Sequence, residues 1–209
     1  EIQQAVLDVL AAYHATLPSS YDSLLARYQL RDAAIKVVGV GSVGTRCWVL
    51  LFMAGDGDPL FLQVKEARAS VLEPFAGASV FPNHGQRVVD GYRRMQPASD
   101  IFLGWSQAPN GVHFFVRQLR DMKLGPVVET FGPVEMEIYA GWCARALALS
   151  HARHGDSAML SGYMGKSDAF DKAMVAFSMA YADQNESDHA ALDRAVRKGK
   201  VKAVFEEDR

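Results

Sequence analysis

The sequence predicts an α+β protein: a small antiparallel sheet with one inserted helix, followed by a helical C-terminal part. Three observations carry this. Short β-branched and aromatic runs, among them Arg46–Met53, Leu60–Glu66 and His113–Leu119, are separated by glycine and proline turns. One helical stretch, Gln86–Gln96, interrupts them between Pro82 and Pro97. After Pro133 the pattern is almost wholly helical.

In order, Ile2, Val6, Val9, Leu10 and Tyr13 recur at helical spacing, and that helix ends before Pro18. Ser19 and Asp22 form a Ser-x-x-Asp start signal for a second helix that continues through Leu24, Leu25 and Tyr28. From Ala33 the pattern becomes extended, with Ile35, Val37 and Val38 as a first strand. A glycine-rich loop, Gly39–Gly44, leads to the strand Arg46–Met53, a turn over Ala54–Pro59, and the strand Leu60–Glu66. Beyond the inserted helix, strands over Ile101–Trp105 and His113–Leu119 flank the turn Pro109-Asn110-Gly111. Val134, Ile138, Trp142, Arg145 and Leu149 mark a helix stopped at Gly155. Later helices are expected from Ser167 to Gln184 and from Ser187 to Lys198. The organisation read from this is a helical lead over 1–32, the sheet with its glycine loop over 33–123, and a helical part over 124–209.

Composition narrows the class. With 209 residues, 49% of them hydrophobic, the chain can bury one substantial core or two lobes sharing an interface. A net charge of −2 lacks the basic excess of a nucleic-acid surface. Cys47 and Cys143 lie in apolar stretches and read as buried thiols of a reducing compartment. The longest apolar run, Trp48–Met53, is strand-sized, far from the roughly 20 residues of a membrane span. A cytoplasmic protein with no nucleic-acid and no membrane partner is expected. A first residue that is Glu1, followed by an amphipathic helix, suggests a chain that starts inside a longer protein.

Gly39-Val40-Gly41-Ser42-Val43-Gly44 fits G-x-G-x-x-G. A dinucleotide fold needs a helix after this loop, because the helix N-terminus holds the pyrophosphate. Here Thr45-Arg46-Cys47-Trp48-Val49-Leu50 favours a strand. A P-loop needs Lys-Ser/Thr after the last glycine, where this chain has Thr45-Arg46. Two readings remain: a kinase-type loop covering ATP phosphates between two antiparallel strands, or a hairpin whose glycines only satisfy its turn. Lys65, in Leu62-Gln63-Val64-Lys65, adds to the first. Alternation puts Gln63 and Lys65 on one face, and a kinase strand likewise ends in a lysine that pairs with phosphates. Asp90 in the inserted helix is the candidate carboxylate to orient it, with Glu73 second.

Val37–Arg46 and Leu60–Ala67, continued by His84–Val89, Phe102–Trp105, Val116–Lys123 and Tyr181–Glu186, resemble an uncharacterised bacterial family, domain of unknown function 2252. The resemblance covers nearly the whole chain. That family is in turn distantly similar to protein kinases and aminoglycoside phosphotransferases, which implies a protein-kinase-like fold. On that resemblance Lys65 and Asp90 are the catalytic candidates, and Gly39, Gly41, Ser42, Gly44, Lys65 and Gln118 the nucleotide-binding ones. The implied cofactors are ATP and Mg²⁺, and the implied partner is an unknown small-molecule or protein phosphate acceptor. Longer members carry Gly-Asp-x-His-x-x-Asn and Asn-Asp-Phe-Asp runs before the glycine loop, suited to a catalytic base and metal carboxylates. This chain has neither. The expectation is therefore a nucleotide-binding kinase-like domain or phosphotransferase fragment, with a non-catalytic pseudokinase-like module as the alternative.

Other clusters read more plainly. His154-Gly155-Asp156 resembles an antibiotic-kinase catalytic loop but lacks its asparagine, since position 161 is Ser161. Asp168 and Asp171 fall where a helix should begin. His151, His154 and Asp156 lack a zincin pattern, and no metal site is expected. Arg117, Arg120 and Lys123 could guide phosphate or form a solvated edge.

Overall fold

The computed structural model describes residues 2–37, 39, 42–55, 57–119 and 125–203. The chain divides into two compact units, residues 1–154 and 155–209.

The first unit opens with α1 (Ile2–His14) and α2 (Ser19–Leu25). Val6, Val9, Leu10 and Tyr13 form the buried stripe of α1. The Ser19/Asp22 start signal does not close a cap: Pro18 occupies the N-cap position with no side-chain bond. Asp22 instead pairs with His14 Nδ1 at 2.5 Å.

Five strands follow: β1 (Gln29–Ile35), β2 (Cys47–Ala54), β3 (Asp58–Ala67), β4 (Gly104–Gln107) and β5 (His113–Gln118). They form one sheet in the order β1-β2-β3-β5-β4, with every neighbouring pair antiparallel. The expected mixed α+β architecture with a small antiparallel sheet is therefore present. β1 begins at Gln29, ahead of the expected Ala33. It is an edge strand, exposed along nearly its whole length and broken by a bulge between Leu30 and Asp32. Such a strand carries no alternation for the sequence to display. β4 starts only at Gly104, because residues 101–102 form a turn.

The two faces of the sheet bury different residues. On one, Leu50, Phe52, Leu60, Leu62, Val64, Phe114 and Val116 pack with α1. Each such side chain, fully removed from water, contributes roughly 1.5–3 kcal/mol. Tyr13 is fully buried, and its hydroxyl donates to the Phe102 carbonyl at 2.5 Å. Burial, then the nearby Asp100 and Asp22 charges, push its pKa far up, so the phenol stays a donor. Ser106 Oγ donates to the Val9 carbonyl at 2.7 Å, fastening α1 to β4.

The other face is covered by α4 (His84–Met95), whose Val89 packs with Ala67, Leu103 and Phe115. Asn83 caps α4, accepting from the Gly85 and Gln86 N–H groups at 2.8 and 3.1 Å. A Cβ on Gly85 would sit 2.0 Å from the Phe114 carbonyl oxygen, so glycine lets the helix start lie directly on β5. The short helix α3 (Glu73–Ala76) precedes α4, and the long α5 (Pro133–His154) closes the unit. Ser150 of α5 is buried against Met95, its Oγ 2.9 Å from the sulfur. Cys143, expected in the core, is exposed, as is Trp142. Apolar residues recur around much of α5, so periodicity does not reveal which side packs. Cys47 is buried as expected.

The second unit holds α6 (Ser157–Met164) and α7 (Ala169–Arg197). Asp156 caps α6, accepting from the Met159 N–H at 2.9 Å. The two late helices expected from sequence are one. The polar stretch 184–188 holds no proline or glycine, and Gln184 Nε2 donates to Asp188 Oδ1 one turn on at 2.7 Å. Among the described residues, no helix is long and apolar enough to cross a membrane.

Candidate functional site

The glycine loop joins β1 to β2, two antiparallel neighbours. Val38, Val40 and Gly41 lie outside the described residues. Ser42 turns back on Gly39, its N–H and Oγ both donating to the Gly39 carbonyl at 3.0 and 2.7 Å. Thr45 repeats the pattern on the Ser42 carbonyl at 3.0 and 2.7 Å. Gly44 has φ +76, which requires glycine. Gly39 has no such φ, and nothing lies within 4 Å of where its Cβ would be. A side chain there would therefore meet open space among the described residues. A cleft of about 410 Å³ opens here, lined among others by Lys36, Ser42, Gly44, Thr45 and Trp48.

The loop is held from behind by a charged clasp. Glu66 carries little exposed side-chain surface, 7%. It accepts from the Arg46 N–H at 3.1 Å, Arg46 Nη1 at 3.2 Å and Arg68 Nε at 2.7 Å. Arg68 Nη2 also donates to the Gly44 carbonyl. Arg87 of α4 donates from Nη2 to the Arg68 carbonyl at 2.9 Å. Burial alone would raise the Glu66 pKa, but the bonds from Arg68 and Arg46 outweigh it and the net shift is down. The clasp therefore links α4, β3 and the last glycine of the loop.

Lys65 sits on the opposite side of β3, on the face that α4 covers. It pairs in register with Cys47, the first residue of β2 after the loop, and with Phe115 of β5. It is half-buried and forms no ion pair among the described residues. Asp90 lies on α4, but its carboxylate is 2.5 Å from Arg94 Nε, one turn along the same helix. Glu73 is engaged locally, accepting from the Ser70 N–H at 3.3 Å. Gln118 ends β5 opposite Leu62, and its N–H is taken by Asp100 Oδ2 at 2.5 Å. The structure thus brings Ser42, Gly44 and the start of β2 together, with Lys65 beside that start. It places Asp90 and Gln118 apart from them, each with a partner of its own.

Sequence reasoning missed the clasp and Gln63. Gln63 is buried, donating from Nε2 to Cys47 Sγ at 3.4 Å and accepting from Arg117 Nε at 3.3 Å. The available signal was a charge directly after the loop, Arg46, and one directly after Lys65, Glu66, in strands that a hairpin sets side by side. At the N-terminus of α4, His84 and His113 lie with ring centroids 5.1 Å apart. The His84 N–H donates to His113 Nδ1 at 3.1 Å. Burial, then the His84 charge, lower the His113 pKa. Among the described residues, no group of three or more His, Cys, Asp or Glu side chains could hold a metal ion. His154 ends α5, Asp156 caps α6, and Asp168 pairs with Lys172 at 2.7 Å. These residues serve helix ends.

Fold and site together define a mixed α+β protein built on a five-stranded antiparallel sheet with a glycine loop at one end. The chain belongs to the family described as uncharacterised proteins conserved in bacteria (DUF2252), whose model matches residues 1–195. No curated protein and no solved structure matches it.

Proposed function

We propose that the first unit is the nucleotide-binding lobe of a kinase-like phosphotransferase. One observation carries the reading. Lys65 is a half-buried cation without a carboxylate partner among the described residues, standing beside the strand that leaves a glycine loop. A lysine sheltered from water costs stability unless a charge meets it. A phosphate lying under the loop is that charge.

The order of parts supports it: glycine loop, antiparallel hairpin, strand lysine, then a helix on the lysine's face. Kinases use this order to cover and neutralise ATP phosphates. Gly39 and Gly44 let backbone approach the phosphates, and Lys65 meets their charge. Asp90 would have to exchange Arg94 for Lys65 to orient it. Mg²⁺ would be held chiefly by the phosphate oxygens and water. The Lys65→Met variant tests the reading: nucleotide affinity is lost while the melting temperature is kept. Equal affinity in the variant would sink it.

A further inference from the structure

We propose that Arg117 is a second cation of this face and that, together with Lys65, it grips the phosphate chain of a polyphosphate ligand. The inference rests on the nucleotide reading and names the part of the ligand that the two side chains take.

The argument begins with Gln63. It is 2% exposed in the middle of β3, where the opposite face carries Leu62 and Val64. A buried amide costs stability unless it is hydrogen-bonded, and an aliphatic residue would avoid that cost. What the amide achieves is orientation. Its Oε1 receives Arg117 Nε, while its Nε2 is braced on Cys47 Sγ. The two Nη groups of Arg117 are left without a partner among the described residues. A guanidinium fixed through Nε presents its terminal fork outward, a geometry suited to phosphate oxygens.

The register then places Lys65. Gln63 pairs with Arg117 and Lys65 with Phe115, so the two cations are diagonal neighbours on one face of β3 and β5. Diagonal neighbours lie about 7–8 Å apart, within reach of two long side chains converging on one ligand. Neither forms an ion pair among the described residues, whereas Arg46, Arg68 and Arg94 are each satisfied by Glu66 or Asp90. Two adjacent half-buried cations repel each other unless a multivalent anion lies between them. A chain of phosphates supplies several charges over that span; a single phosphate does not.

The test is calorimetry with inorganic triphosphate, ATP and AMP on the full chain and on Arg117→Gln, Arg117→Lys, Gln63→Leu and Lys65→Met. Arg117→Gln is expected to weaken triphosphate and ATP roughly ten- to hundredfold, the range of a lost charge-assisted hydrogen bond. AMP should change little, and Arg117→Lys should recover part of the loss. Gln63→Leu keeps both cations, so it should weaken triphosphate while leaving the melting temperature equal or higher. A purely structural Gln63 would instead lower the melting temperature. ATP binding that is lost in Lys65→Met but unchanged in Arg117→Gln overturns this inference and leaves the nucleotide reading standing. Arg117-dependent triphosphate binding without ATP binding supports the anion grip and overturns the nucleotide reading. Binding of neither ligand overturns both.

Discussion

Replacing Gly85 by alanine sets two effects against each other, and the structure decides between them. Within a helix, alanine is favoured over glycine by about 1 kcal/mol. Against this, the new Cβ would lie 2.0 Å from the Phe114 carbonyl oxygen and 2.7 Å from its carbon. Both are backbone atoms of β5, which is hydrogen-bonded to β3 on one side and β4 on the other. The strand cannot yield, so α4 must lift to relieve the contact, a backbone shift of the kind overpacking forces. Lifting strains the Asn83 cap and draws Val89, fully buried, off Phe115. Overpacking costs about 1–3 kcal/mol and a lost cap about 1. The net is a loss of roughly 1–3 kcal/mol, or about 3–10 °C in melting temperature for a chain of this size. Thermal unfolding followed by circular dichroism reads it. Gly91, in the same helix with nothing within 4 Å of its Cβ position, is the control. Gly91→Ala should raise the melting temperature by a few degrees. A Gly85→Ala protein as stable as the parent would refute the claim that α4 is seated on the β5 backbone.

Two further predictions concern charge. Glu66→Gln should cost about 1–2 kcal/mol at neutral pH, discounted because both arginines are about half exposed. Its amide hydrogen exchange should be faster at Ser42 and Thr45, on either side of Gly44, where the clasp ends. Because the Glu66 pKa is lowered on folding, the clasp's contribution is present above the ordinary glutamate range. It is lost as pH falls through the lower folded value. The stability gap between parent and variant should therefore close only in acid; a gap independent of pH would contradict the assignment. His113 is likewise lowered, so the unfolded chain takes up its proton first as pH falls. Stability should be full above about 6.5 and decline below it. His113→Asn, which keeps an acceptor for the His84 N–H, should flatten that decline in thermal melts between pH 7 and 5. An equally steep decline in the variant would assign it to other groups.

Much of the sheet is legible because its strands are short β-branched and aromatic runs cut by glycine and proline turns. Alternation sets Leu62 and Val64 against Gln63 and Lys65, and the structure turns the first pair to the α1 face and the second to the α4 face. The start of β1 is hidden in the sequence because an exposed edge strand has no buried face to impose a pattern. The exposure of Cys143 is hidden for the converse reason: apolar residues spread around α5 give no single inward stripe. The continuous α7 looks like two helices in the sequence because its middle is polar, yet only proline or glycine would force a break there. At the site, the glycine loop and Lys65 are local motifs and could be found locally. The clasp of Arg46, Glu66 and Arg68, and the Gln63–Arg117 brace, exist only through register, which joins residues 20 and 54 positions apart. Asp90 shows the opposite limit. Its spacing suited a partner for Lys65, but Arg94 one turn away is nearer in the helix itself.

The most direct test of the central claim is ATP binding to this chain by calorimetry, with and without Mg²⁺. The account predicts saturable binding with one site per chain, abolished in Lys65→Met. A folded chain that takes up no ATP under either condition would contradict it, and would leave the glycine loop as a hairpin turn and Lys65 as a strand lysine without a ligand.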